Sequence, residues 1–213
     1  MKAYRSIEKY NEDYFGKHVF GFDKIDGSNF RAEWNKKLSK KSRFTYGFGK
    51  FGTRGETIKN ADNPYTEGVN IFMDKYAIEL DKIFNDNKLF RGIDTITVYG
   101  EFYGPNSFAG QHVWDEDHDV IIYDMFLYKK DFVKPADFIS IFGHLDIPQL
   151  HYKCLFDQLT LWSVQFNDID MGLKEGIVFK GVEEGKVFMF KVKTDEWLHK
   201  VRTLYGDKIA TEY

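Results

Sequence analysis

Hydrophobic and polar positions alternate in several short runs of this chain and recur at helical spacing in one longer one. Val19 to Phe22 is an apolar run that predicts a strand, and Asn29-Phe30-Arg31-Ala32-Glu33-Trp34 alternates as a half-buried strand. The lysine-rich stretch that follows is predicted to turn, and Arg43 to Phe51 to return as the partner strand. Ile93 to Tyr103 and Asp119 to Leu127 predict two more strands, the first placing Glu101 on one face with Tyr99 and Tyr103. Leu150 to Phe156, Gly176 to Lys180 and Val187 to Lys193 read as further strands, the last two joined near Glu184-Gly185. Helical spacing runs through Val69, Phe72, Met73, Tyr76, Ile78, Leu80, Ile83 and Phe84, predicted to be the core face of an amphipathic helix. A short helix is predicted from Pro135 to near Gly143 and another over Gln158 to Phe166. The final helix should cover the core with Trp197, Val201 and Leu204. The opening segment to Gly16 is polar and aromatic, with only a weak helical pattern.

At 213 residues the chain suits one domain, 1–213, without an internal repeat or low-complexity linker. An aromatic share of 18% is high and points to pockets or stacking surfaces besides the core. One cysteine, Cys154, excludes an internal disulfide framework and reads as a small core residue; no Cys/His spacing suits zinc. No stretch resembles a signal peptide or a membrane span, so the expectation is a cytoplasmic protein with no membrane partner. A net charge of −3 argues against a protein that coats nucleic acid indiscriminately. Local clusters matter more: Lys36 to Arg43 is basic, as are Lys191, Lys193, Lys200 and Arg202. For the first cluster a solvated hairpin tip and a phosphate contact both stay open. Asp115-Glu116-Asp117-His118-Asp119 reads as a solvated loop before it reads as a metal cluster, and His112, His144 and His151 lack ligand spacing.

Candidate chemistry centres on Phe20-Gly21-Phe22-Asp23-Lys24-Ile25-Asp26-Gly27-Ser28-Asn29-Phe30. A nucleophilic lysine must lose its proton, and nearby cations or a dry pocket make that possible. Lys191 and Lys193, two apart on a predicted strand, point to one face and supply such charge. Taken alone, Lys-Ile-Asp-Gly is also how an ordinary hairpin looks. Further charged landmarks follow in order: Arg54 in Thr-Arg-Gly-Glu, Glu101 in Gly-Glu-Phe-Tyr-Gly-Pro, and Glu175 in Lys-Glu-Gly-Ile-Val-Phe-Lys.

In this order the landmarks resemble the covalent nucleotidyltransferase superfamily of ATP-dependent ligases and capping enzymes, nearest to RNA ligases of the RNA ligase 2 type. Lys-Ile-Asp-Gly-Ser-Asn-Phe, Tyr123-Asp124 and Glu-Gly-Ile-Val-Phe-Lys carry the narrower likeness, which spans Phe20 to Thr194. The resemblance implies an α+β fold: an ATP-grasp-like ligase adenylation domain with antiparallel sheets flanked by helices, and no OB-fold or other C-terminal domain. It implies that Lys24 becomes covalently adenylylated by ATP, with Mg²⁺ or Mn²⁺ as the metal, and that AMP then passes to a 5′-phosphate end for joining to a 3′-hydroxyl.

By the same resemblance Lys191 and Lys193 are catalytic with Lys24. Asp23 would fix the adenine edge, Tyr123 would stack on adenine, and Glu101 would contact ribose. Asn29 would serve the AMP and metal-water network, Lys180 would be a further phosphate contact, and Glu175 and Asp26 would hold the metal or its waters. Arg54 would grip a phosphate or ribose oxygen, with Arg43 as second candidate. The partner would be nucleic acid, a nicked duplex or broken RNA ends, and a protein that supplies end binding is left open. Asp26 stands where the RNA ligase 2 type commonly has His, and supports the alternative of a minimal DNA nick ligase. A non-catalytic nucleotide-binding module and a capping guanylyltransferase rank below both.

Overall fold

The computed structural model describes residues 1–42, 44–59, 61–167 and 172–207. The opening segment forms no α-helix. It contains a two-residue strand, β1 (Glu8–Lys9), and one 3-10 turn at Glu12–Tyr14. The apolar run then forms β2 (His18–Asp23), and the alternating run forms β3 (Ser28–Asn35) with Phe30, Ala32 and Trp34 buried.

The lysine-rich stretch is helical, as α1 (Lys36–Lys41), where the sequence predicts a turn. Asn35 makes the difference, because its side chain accepts from the backbone N–H of Lys37 and Leu38 and caps the helix start. Lys40 and Lys41 complement the carbonyl end. The returning strand β4 (Phe48–Gly52) is correspondingly shorter than predicted. Tyr46 and Gly47 both have positive φ, a backbone that regular strand pairing does not continue through, and pairing starts after them. Arg43 lies outside the described residues. A short β5 (Thr57–Ile58) closes the Thr53–Glu56 loop.

The long helical pattern is α2 (Thr66–Phe72) and α3 (Ile78–Asp86), continuous through a wider π turn at Met73–Ala77. That turn adds a residue to the repeat and rotates the face after it. Ala77 is therefore buried, whereas Ile78, predicted for the core, is 58% exposed. Next come β6 (Thr95–Tyr103), β7 (Asp119–Leu127), α4 (Pro135–Phe142), β8 (Leu150–Leu155) and α5 (Gln158–Gln165). The chain continues through β9 (Gly176–Glu183), β10 (Lys186–Lys193) and α6 (Asp195–Tyr205). In α6, Trp197 and Val201 are buried as predicted, but Leu204, in the uncovered last turn, is exposed.

Within the 1–213 range expected as one domain, two compact units interleave along the chain. The first comprises Met1–Arg5 and Gly27–Ile147. Its sheet runs β5-β4-β3-β6-β7, all antiparallel, and its core joins Phe30 and Trp34 of the sheet to Phe72, Tyr76, Leu80, Phe84, Phe138 and Phe142 of the helices. The second comprises Ser6–Asp26 and the chain from Pro148 onward. Its sheet runs β1-β10-β9-β2-β8, antiparallel except for the β1–β10 pair, over a core of Val19, Phe156, Leu161, Phe179 and Phe190. Cys154 is half-buried at the margin of that core, its thiol 3.8 Å from the Thr160 hydroxyl. The architecture is the α+β, antiparallel-dominated one that was expected. Among the described residues no helix is long and apolar enough to cross a membrane.

Candidate active site

Strand register in the second unit brings three charged side chains to one end of its sheet. Asp23 of β2 pairs with Ile177 of β9, and Gly176 of β9 pairs with Lys193 of β10. Lys24 and Glu175 are the residues next to those pairs, and the Lys24 N–H donates to the Gly176 carbonyl at 2.9 Å. A β-carbon at Gly176 would collide with the backbone of Val192 and Lys193, so glycine is what lets the strands close here. The side chains then meet. Lys24 Nζ lies 2.8 Å from Glu175 Oε2, and Lys193 Nζ donates to Glu175 Oε1.

Glu175 is 2% and Lys193 7% exposed, so this is a nearly dry ion cluster with one carboxylate between two ammonium groups. Burial pushes the Lys193 ammonium down to about 7. Glu175 opposes the shift, and the charges of Lys24 and Lys191 add to it. Lys191, half-buried, sits two residues away on the same face of β10, as its alternation predicted. The Lys193 ammonium also lies 3.6 Å from the ring centre of Trp197, whose indole N–H donates to the Asp26 carboxylate at 3.0 Å.

Two more candidates belong to this sheet. Burial raises the pKa of Asp23 in spite of His151, whose Nε2 lies 3.6 Å away, beyond hydrogen-bond reach. Lys180 is buried in β9, its ammonium 5.1 Å from the centre of the Phe22 ring. The carboxylates expected to serve a metal, Glu175 and Asp26, are thus engaged by protein donors. Among the described residues no group of three or more His, Cys, Asp or Glu side chains is placed to hold an ion.

The first unit carries the remaining candidates. Asn29 and Glu101 are direct cross-strand partners on β3 and β6. The Asn29 amide donates to the Tyr123 hydroxyl, while its carbonyl Oδ1 is buried and accepts nothing. Burial raises the Tyr123 phenol pKa well above its usual value, and the charges of Glu101 and Asp124 push it further against Asn29 and Arg54. Arg54 is exposed, on the Thr53–Glu56 loop.

Three residues here were given no role from the sequence. Tyr4 donates to Asp124 and packs edge-on against Tyr123, with ring centres 5.1 Å apart. Arg31 is buried in β3 with its Nε unpartnered. His112 joins Ser28, at 2.8 Å, to Ser107, at 3.1 Å. The acidic run beside them is dispersed among partners: Glu116 receives Asn106, His118 meets Glu67, and Asp119 binds Lys75.

The model of the RNA ligase family matches residues 17–193, a span that holds the whole Lys24–Glu175–Lys193 cluster. The chain belongs to the RNA ligase family. No curated protein matches this family member significantly. Among solved structures, Naegleria gruberi RNA ligase with PPi is similar at a TM-score of 0.67 and 17% identity, over 95% of this chain and 58% of that one. A lysine-to-alanine mutant of that ligase with ATP and Mn gives 0.66 at 16% identity, over 92% of this chain and 57% of that one. A glutamate-to-alanine mutant with AMP and Mn gives 0.66 at 17%, over 94% and 58%. At such identities the likeness shows the fold, and this RNA ligase family member spans about 58% of the length of those chains.

Proposed function

We propose that the chain is an ATP-dependent RNA ligase that forms a lysyl-AMP on Lys24 and joins 5′-phosphate to 3′-hydroxyl RNA ends. The observation that carries the reading is the Lys24–Glu175–Lys193 cluster within a chain of the RNA ligase family. The related ligase that binds ATP and Mn, or AMP and Mn, supports ATP with Mg²⁺ or Mn²⁺ as the cofactors. The donor set suits them: Lys193, Lys191 and Lys180 are cations for phosphate oxygens, and the unsatisfied Asn29 Oδ1 is an acceptor without a protein donor. A bound Mg²⁺ would shield triphosphate charge, with Glu175 and Asp26 as the carboxylates for it or its waters.

In the first step the Lys24 Nζ lone pair attacks the α-phosphorus of ATP; an N–P bond forms as the bond to pyrophosphate breaks. Nζ must shed a proton, and Glu175 Oε2, 2.8 Å away, is the acceptor within reach. Negative charge gathers on the α-phosphate, and a phosphate beside Lys193 favours its charged form, so the lysine that eases deprotonation of Lys24 also stabilises the transferred group. AMP then passes to the 5′-phosphate, and the 3′-hydroxyl displaces it. Residues 1–213 act in this reading as one adenylyltransferase domain in the cytoplasm. Asp23, Asn29, Arg54, Glu101 and Tyr123 hold the nucleotide in the roles given above.

The test is charging with α-labelled ATP. The parent takes up label; Lys24→Ala takes up none; Lys193→Ala charges about 10² to 10³ times more slowly, the usual loss for one electrostatic donor. Undiminished label in Lys24→Ala would overturn the mechanism, and nucleotide binding without any adduct would identify a binding module instead. Family membership favours RNA over the minimal DNA nick ligase.

A further inference from the structure

The lysine-rich helix α1 takes no part in the chemistry above. It is built to present charge. Asn35 caps its start, Leu38 packs beside Gly49, and Ser39 accepts from Asn85, which anchors the inner face. Lys37, Lys40 and Lys41 are exposed and Lys36 is half-buried. Among the described residues none of the four has a carboxylate partner, although Lys50 nearby is paired with Glu33. No acidic residue occurs between Asn35 and Phe51, on a chain whose net charge is −3. Four unpaired ammonium groups within six residues repel one another, at a cost to the isolated helix. A polyanion is the ligand that relieves them.

The position of α1 says which part of a polyanion it meets. The helix begins where β3 ends, and β3 starts at Ser28 and Asn29, beside Glu101 of the first unit. Seven strand steps from Asn29 to Lys36 span roughly 20 Å. At about 2.8 Å per base pair of an A-form RNA duplex, that is on the order of seven base pairs.

We propose that α1 is a remote docking site for the phosphate backbone of duplex RNA, touching it about seven base pairs from the nucleotide held at Asn29 and Glu101. The proposal rests on the RNA ligase reading for its choice of polyanion. Lys36, Lys37, Lys40 and Lys41 grip phosphates without reading bases, so the contact adds affinity to long substrates and nothing to short ones.

The experiment measures binding of nicked duplex RNA against salt, with arms of about three or about twelve base pairs on each side of the nick, each arm closed by a hairpin loop so that the short duplex stays paired. The parent is compared with a variant in which all four lysines are replaced by glutamine, a good helix former. For the long duplex the slope of log K against log salt should shrink by about 3 in the variant, and for the short duplex it should not change. A companion variant with all four replaced by arginine should keep the parent slope and controls for folding. Equal slopes for parent and glutamine variant on the long duplex would overturn the proposal. So would an equal loss on both lengths, or lost binding to anionic phospholipid vesicles with RNA binding unchanged. Charging of Lys24 is followed in parallel and should not differ between variants. A parent that binds RNA through α1 without charging would defeat the enzyme reading and leave the docking site standing.

Discussion

Lys193 is the residue at which the buried ion cluster of the second unit responds to pH. Its ammonium has a folded pKa near 7 against an ordinary value of 10.5. Below about pH 7 the group is protonated whether the chain is folded or not. Between there and 10.5 the unfolded chain holds a proton that the folded one has released, so raising the pH through this window favours folding. The slope cannot exceed about 1.4 kcal/mol per pH unit for one group. Urea unfolding between pH 7 and 10 should therefore show the parent gaining stability with pH, and Lys193→Met should lack that gain. Identical slopes would mean that Glu175 keeps Lys193 charged throughout. The elements of this cluster were legible in the sequence because each of its members sits in a compact motif at a strand end. Tyr4, Arg31 and His112 were not. Asp124, the partner of Tyr4, lies 120 residues away and Ser28, the more distant of the two partners of His112, 84 away, and no local pattern announces a hydrogen bond made across such a separation.

Strands were easier to read than helix faces. Alternation has a fixed period of two, so Phe30, Ala32 and Trp34 had to share a side, and their burial follows. Helical periodicity assumes an unbroken repeat, and the π turn at Met73–Ala77 breaks it, which is why Ile78 faces solvent. A polar substitution separates the two descriptions. Ile78→Glu should change stability by no more than about 0.5 kcal/mol, the ordinary range for a surface site. Loss of about 2 kcal/mol or more in a denaturant titration would put Ile78 back in the core. The basic helix α1 was missed for a different reason: lysine has adequate helix propensity, but the run carries no apolar stripe to signal it, and the decisive residue is the Asn35 cap just outside it.

At the scale of the whole molecule the open choice is the sugar, and Asp26 is where the two readings part. In the sequence it supports the alternative of a DNA nick ligase, since RNA ligases of the nearest type commonly have His there while DNA ligases and other RNA ligases have Asp. The structure gives Asp26 another occupation: it accepts the indole N–H of Trp197, which in turn lies under the Lys193 ammonium. A carboxylate with that task is explained without reference to the sugar, and it then says little about whether ribose or deoxyribose is joined. Family membership points to RNA, and the 2′-hydroxyl is the group by which a protein tells the two apart. Otherwise identical nicked duplexes, differing only in ribose or deoxyribose at the 3′-hydroxyl side, decide it with ATP and Mg²⁺. Sealing of the ribose nick should be faster by about tenfold or more, the equivalent of one well-placed hydrogen bond to the hydroxyl. Equal or faster sealing of the deoxyribose nick would restore the DNA reading and show that the hydrogen bond to Trp197 is incidental to why aspartate stands at position 26.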